Sequence, residues 1–185
     1  MRSVFKSAVL SALSIFLLSG IMPGSAYAVS KAVLDIEVKD AVNRFYKEVN
    51  LGKELADKSL GMLIFPSIIK AGLFVGGEYG EGALLINNKT VDYYSSTAAS
   101  IGFQAGAQSK SVVLLFMTEN ALKNFRTSDG WKAGVDGSVA LVKQGTGGSI
   151  DNNTLQQPII GFIFGNKGLM FNLTIEGSKL TRIKK

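Results

Sequence analysis

The 185-residue chain contains no cysteine and no histidine. Their absence rules out a disulfide framework, a Ser-His-Asp or Cys-His nucleophile and a zinc site of ordinary ligands. Any catalysis would fall to carboxylates, lysine or tyrosine. Proline is scarce, at three, and the single tryptophan is Trp131. Beyond the N-terminal segment no stretch is long and apolar enough to cross a bilayer as a helix.

That N-terminal segment reads as an export leader. Arg2 and Lys6 form a basic head, an apolar stretch runs from Ala8 to Met22, and Pro23-Gly24-Ser25-Ala26-Tyr27-Ala28 ends small-x-small. This order predicts a signal peptide over residues 1–28, cleaved after Ala28, and a periplasmic or secreted protein. No cysteine stands at the cleavage point to carry a lipid anchor. Residues 29–185 then suffice for one domain with its own core.

Charge is placed unevenly. Lys and Arg total 20 against 14 Asp and Glu, and removing Arg2 and Lys6 leaves 18 against 14. Residues 29–60 carry six of each sign and residues 61–178 eight of each, so the surplus is Lys179, Arg182, Lys184 and Lys185. A neutral body with a short basic tail has no broad basic face, which argues against nucleic acid. The tail suits an anionic membrane surface, at about 1 kcal/mol per basic residue, and equally a solvated end.

Periodicity predicts an α+β domain. Val33, Ile36, Val38, Ala41, Val42, Phe45 and Val49 recur at near-helical spacing with charges between them, giving an N-terminal amphipathic helix. "KELADKSLG" continues as a short helix stopped by Gly61. "MLIFP" reads as a strand ended by Pro66, and Asn87-Asn88 as the turn between "GALLI" and "TVDYYSS". "ASIGFQAGAQ" pairs with "KSVVLLFMT", and Thr118 caps an inserted helix, "TENALKNFRTS". "GWKAGVDGSVALV" is a strand, "KQGTGGSIDNNT" a loop, and Gly165-Asn166-Lys167 a hairpin turn between "PIIGFIF" and "GLMFNLTIEG".

Residues 70–86, "KAGLFVGGEYGEGALLI", raise the question of a phosphate loop. The spacing answers no. There is no GxGxxG, and Gly72-x-x-x-x-Gly77 is followed by Glu78 where such a loop needs lysine. Strand parity accounts for the glycines better. Gly72, Gly76, Gly80 and Gly82 share one face, as do Gly102 and Gly106, then Gly134 with Asp136 and Ser138. Glycine within strands marks bends or close approach. The expected architecture is a strongly curved, mostly antiparallel, barrel-like sheet. Its glycine face should lie against the protein's own helix or, failing that, an acyl chain.

Four ordered blocks carry a resemblance: "LIFPSIIKAGLFVGGEYGEGALL", "SIGFQAGAQSKSVVLLFMTENALKNF", "GWKAGVDGSVALV" and "NKGLMFNLTIEGSKL". Together, over about residues 33–182, they are similar to the SYLF domain in its bacterial exported branch. The resemblance implies a single domain over 29–185 and a non-enzymatic, lipid-binding role in the cell envelope. SYLF proteins of eukaryotes bind phosphoinositide membranes, and some fungal members bind and bundle actin. An exported bacterial protein meets neither, so generic lipid binding is what carries over. Membrane binding in some eukaryotic members uses a basic N-terminal helix, whereas residues 31–58 here are charge-neutral.

A lipid-binding reading takes apolar contacts from Phe74, Phe103 and Trp131, and polar ones from Lys70, Lys132, Lys179, Arg182, Lys184 and Lys185. The expected partner is a phospholipid or membrane surface, with no cofactor and no metal. The alternative is an assembly protein that forms homo-oligomers through glycine-rich strands and an exposed "SVVLLFM" edge. A carboxylate enzyme would use Glu78, Glu81, Asp92 or Asp136, which nothing in their spacing brings together. Asp151 and Asn153 lack the Gly and Glu of a calcium loop.

Overall fold

The computed structural model describes residues 29–72, 75–101, 108–143, 150, 152–167 and 174–185. The leader and its cleavage point lie outside them, as do Phe74 and Phe103.

Four strands come first: β1 (Gly61–Gly72), β2 (Val75–Ile86), β3 (Lys89–Ile101) and β4 (Gln108–Phe116). They are followed by β5 (Trp131–Lys132), β6 (Ala140–Lys143), β7 (Ile159–Lys167) and β8 (Lys179–Ile183). All belong to one sheet, ordered β5-β8-β3-β2-β1-β4-β7-β6 and antiparallel except for β6 with β7. One apolar cluster draws Leu63, Leu84, Tyr94, Leu114, Trp131, Leu141, Ile163 and Leu180 from all eight strands. Only the inside of a curl can collect side chains from every strand. The outermost strands β5 and β6 are also consecutive in the chain, so residues 133–139 link the two edges. The fold is α+β, with a curled half-barrel at its centre.

The convex face is covered by helix. Ser30 caps α1 (Lys31–Glu48), its hydroxyl accepting from the Val33 N–H at 3.4 Å. Leu34, Val38, Ala41 and Phe45 are its buried stripe, and they pack on Met62, Ile64, Ala83 and Val113. Val33 and Ile36 do not share that stripe and stay exposed, because 34, 38, 41 and 45 follow the helical period more closely. The short helix α2 (Gly52–Lys58) ends at Ser59, two residues ahead of the predicted stop. Gly61 instead opens β1.

Pro66 does not end its strand. β1 runs through it, with register breaks on both sides: Ile64/Ser67 against β2 and Phe65/Ile68 against β4. A bulge leaves its extra residues out of the ladder, so a missing N–H costs nothing there. The Ser111 hydroxyl donates to the Pro66 carbonyl at 2.7 Å and fixes the bulge.

The glycines explain themselves at this point. An added Cβ on Gly82 would run into the Ile64 carbonyl and come within 2.7 Å of Phe65 Cδ1. On Gly80 it would stand 2.6 Å from the Ser67 carbonyl oxygen. The close neighbour is therefore the bulged backbone of β1, on the concave face. The expectation of a helix against the glycines is overturned, since α1 packs on the opposite face with Ala83.

Several pairings also differ from expectation. β4 lies between β1 and β7, not beside β3, and is buried along most of its length, so "SVVLLFM" presents no free edge. Residues 131–143 are two short strands broken by a turn. Gly134 takes φ +81°, and the Asp136 carboxylate accepts the Lys132 N–H at 2.6 Å. The third glycine face is thus a turn. Residues 165–167 continue β7, Lys167 pairing with Ser109, instead of turning a hairpin. The predicted loop at 143–154 ends in a one-turn helix, α4 (Asn152–Leu155).

The start of α1 is tied to β3 by a polar cluster. The Tyr93 hydroxyl donates to Asp35 at 2.6 Å, and Lys31 donates to both Asp35 (2.9 Å) and Tyr93 (2.7 Å). The hydrogen bond from Tyr93, then that from Lys31, holds the Asp35 carboxyl below its ordinary value. A depressed carboxyl contributes stability above its unfolded value and loses it as pH falls through the folded one. Asp35→Asn should therefore be less stable than wild type at neutral pH, with the gap closing below about pH 4. Urea midpoints at the two pH values check this; an unchanged gap would mean that Asp35 acts without its charge.

Candidate functional site

Helix α3 (Glu119–Thr127) is inserted between β4 and β5 and closes part of the concave cluster. Thr118 caps it as expected, its hydroxyl accepting from the Ala121 N–H at 3.3 Å. Phe125 is its one buried residue, with ring centroids 4.7 Å from Tyr94, 4.9 Å from Phe116 and 5.6 Å from Trp131. Fixing Phe125 inward fixes what points outward. Leu122, Lys123 and Arg126 then line a groove of about 550 Å³, with Leu60, Glu119, Thr127 and Arg182 completing it.

Leu60 and Leu122 give the groove its apolar lining, and Lys123, Arg126 and Arg182 outnumber its one carboxylate, Glu119. Asp92 organises two of them: Arg126 stands 3.3 Å from its Oδ2 and Arg182 3.6 Å from its Oδ1. Arg182 also donates to the Arg126 carbonyl at 2.6 Å and lies 6.0 Å over the Tyr94 ring. Burial pushes the Tyr94 phenol above its ordinary value, and the neighbouring Arg182 opposes that shift. An apolar lining with an excess of positive charge is complementary to an anionic amphiphile. A larger groove of about 670 Å³ beside α1 has no such bias, because Glu37, Asp40 and Glu48 balance Arg44, Lys110 and Lys167.

Of the residues proposed from sequence, Arg182 alone lines this groove. The basic C-terminus is a strand and not a free arm, since residues 179–183 form β8. Lys185 is buried, donating to Glu81 and to the Val29 carbonyl. Lys179, Lys184 and Lys132 are exposed away from it. Trp131 is in the core, and Lys70 is buried beside Glu78 on the concave face. Lys123 and Arg126 were missed. Their charge reads in sequence only as a complement to the helix dipole.

Residues 97–185 match the family model described as Ysc84: Las17-binding protein actin regulator. Over this stretch, just under half of the chain, the sequence is similar to the SYLF domain family. The matched stretch runs from the end of β3 to the C-terminus and includes α3 and Arg182. No curated protein matches the chain.

The four carboxylates weighed for catalysis each have a structural partner. Glu78 meets Lys110, Glu81 meets Lys185 and the Tyr79 hydroxyl, Asp92 meets the two arginines, and Asp136 accepts a backbone N–H.

Proposed function

We infer that the protein is a non-enzymatic lipid-binding protein of the bacterial cell envelope, exported by its leader, and that the groove beside α3 holds an anionic lipid. The observation that carries this reading is a groove lined by two leucines and by three cations, Lys123, Arg126 and Arg182, against the single carboxylate of Glu119. An acyl chain would cover Leu60 and Leu122 while a phosphate met the guanidinium groups, whose planar donors suit phosphate oxygens. No described helix is long and apolar enough to cross a membrane. Actin regulation, named by the description of the matched family, has no observation in its favour on this chain.

The test is a titration with a short-chain phosphatidylglycerol and a matching phosphatidylcholine, each below its micelle concentration. The anionic lipid should bind more tightly, and added salt should narrow the difference. A Lys123→Ala, Arg126→Ala double variant should lose about tenfold, roughly 1.4 kcal/mol, of affinity for the anionic lipid alone. Equal binding by wild type and variant, or none by either, would remove the groove as the lipid site.

A further inference from the structure

At the end of the sheet opposite the groove, the usual distribution of polarity is reversed. Beyond the bulge, β1, β2 and β3 continue as a ribbon that α1 does not cover, flanked by β4 as far as Lys70 and by β8 as far as Thr97. Its outer face is built in cross-strand rows: Ile69, Tyr79 and Thr97, then Ala71, Gly77 and Ala99. None of these side chains is charged, and Ile69 is 53% exposed, Tyr79 44% and Val75 75%. The charges of the same strands point the other way. Lys70, Glu78 and Lys110 lie on the concave face, paired with one another and nearly sealed from water. A soluble surface puts its lysines and glutamates outside. Here they are turned in and the apolar side chains out.

The occupant should therefore be apolar. We propose that this ribbon docks into a lipid bilayer, with Ile69 and Val75 entering the acyl region and Tyr79 at the headgroup boundary. Two observations favour a bilayer over a second copy of the chain. Polarity is graded along the ribbon: the Tyr79 hydroxyl donates to Glu81 at 2.7 Å, in a belt shared with Lys185, while Lys179 beside Thr97 and Lys167 beside Ser109 flank the Tyr79 row, and past that row the described outward residues Ala71, Val75, Gly77 and Ala99 are uncharged. An aromatic ring with one wet end belongs at such a boundary. Strand β2 pairs on both sides through most of the ribbon and β1 does so as far as Lys70, so over that length their backbone groups are satisfied within the sheet.

The inference rests on the lipid-binding reading, but the two sites fail separately. β1 has 12 residues, so at about 3.3 Å per residue the groove and the ribbon tip are roughly 35–40 Å apart. A docked ribbon would hold the groove clear of the bilayer, as suits a lipid bound singly.

The absence of cysteine makes the experiment clean. Residues 29–185 contain both apolar clusters, and this chain would carry an NBD fluorophore on Val75→Cys or, as a control, on exposed Lys89→Cys. With phosphatidylcholine vesicles the probe at 75 should brighten and shift to the blue while that at 89 does not. Co-sedimentation should survive about 1 M salt, since apolar contact is not screened. Val75→Asp should lower vesicle partitioning about tenfold or more without moving the thermal midpoint. Co-sedimentation with no response at 75 overturns the ribbon and leaves the lipid reading standing. A response at 75 that needs protein concentration and no vesicles assigns the face to a second copy and overturns the proposal. No binding to vesicles also overturns it, and the groove titration then decides the lipid reading alone.

Discussion

Glu78→Gln is expected to lower the unfolding free energy by about 3–5 kcal/mol, the cost of stranding buried charge. Lys110 is 2% exposed, and its ammonium has two described partners: Glu78 Oε2 at 2.7 Å and the Thr174 carbonyl at 2.7 Å. Lys70, also buried, stands 3.7 Å from the other Glu78 oxygen. One carboxylate thus serves two lysines, and the amide that replaces it has no charge to offer either. Relaxation cannot relieve both at once, since the two lysines approach Glu78 from β1 and β4 on the inside of the curl. Urea denaturation should show the loss as a lower midpoint with an unchanged slope. The triple change Lys70→Met, Glu78→Leu, Lys110→Met removes all three charges together and should recover much of the stability. If Glu78→Gln alone were neutral, the cluster would be reached by water and its inward placement would have no energetic meaning.

That cluster also marks the limit of what the sequence could convey. Parity assigned Glu78 to the glycine face of β2 correctly. Nothing in parity says that the face is concave, so an interior glutamate looked like a surface one. Local signals were legible where a single short-range cause decides. Asn87 and Asn88 take φ +50° and +59°, the paired left-handed geometry of a two-residue hairpin that asparagine tolerates. Thr118 capped its helix because a hydroxyl there satisfies a free N–H whatever the tertiary context.

Signals that depend on a distant partner were not legible. Pro66 looked like a stop because its compensation, the Ser111 hydroxyl, lies 45 residues away in β4. The tail looked like a free basic arm because its partners are Glu81, Asp92 and the edge of β3. The groove combines Leu60, two turns of α3 and one residue of β8, with no shared spacing to announce it. The uncharged stretches 75–77 and 97–101 were visible in the sequence, but only the pairing of β2 with β3 puts them at one end.

Gly82→Ala should cost about 3 kcal/mol, near the upper end of what an added methyl does in a packed interior. Most core positions yield by rotating a side chain. Gly82 faces backbone: its Cβ would collide with the Ile64 carbonyl, and Phe65 Cδ1 is the next atom at 2.7 Å. Both belong to the bulge that carries Pro66, which the Ser111 hydroxyl and two ladders hold in place. Moving the carbonyl means shifting the register of β1 against β2 or β4. Gly77, in the same strand, separates this cause from any general effect of alanine. A Cβ there would find its nearest neighbour, the Ala98 carbonyl, at 3.8 Å. Gly77→Ala should accordingly stay within about 0.5 kcal/mol of wild type, or gain slightly by stiffening the unfolded chain. Thermal unfolding of the two variants side by side makes the comparison. Equal losses would show that glycine is needed throughout β2 for flexibility; a loss at 82 alone would tie it to the bulge that bends the sheet.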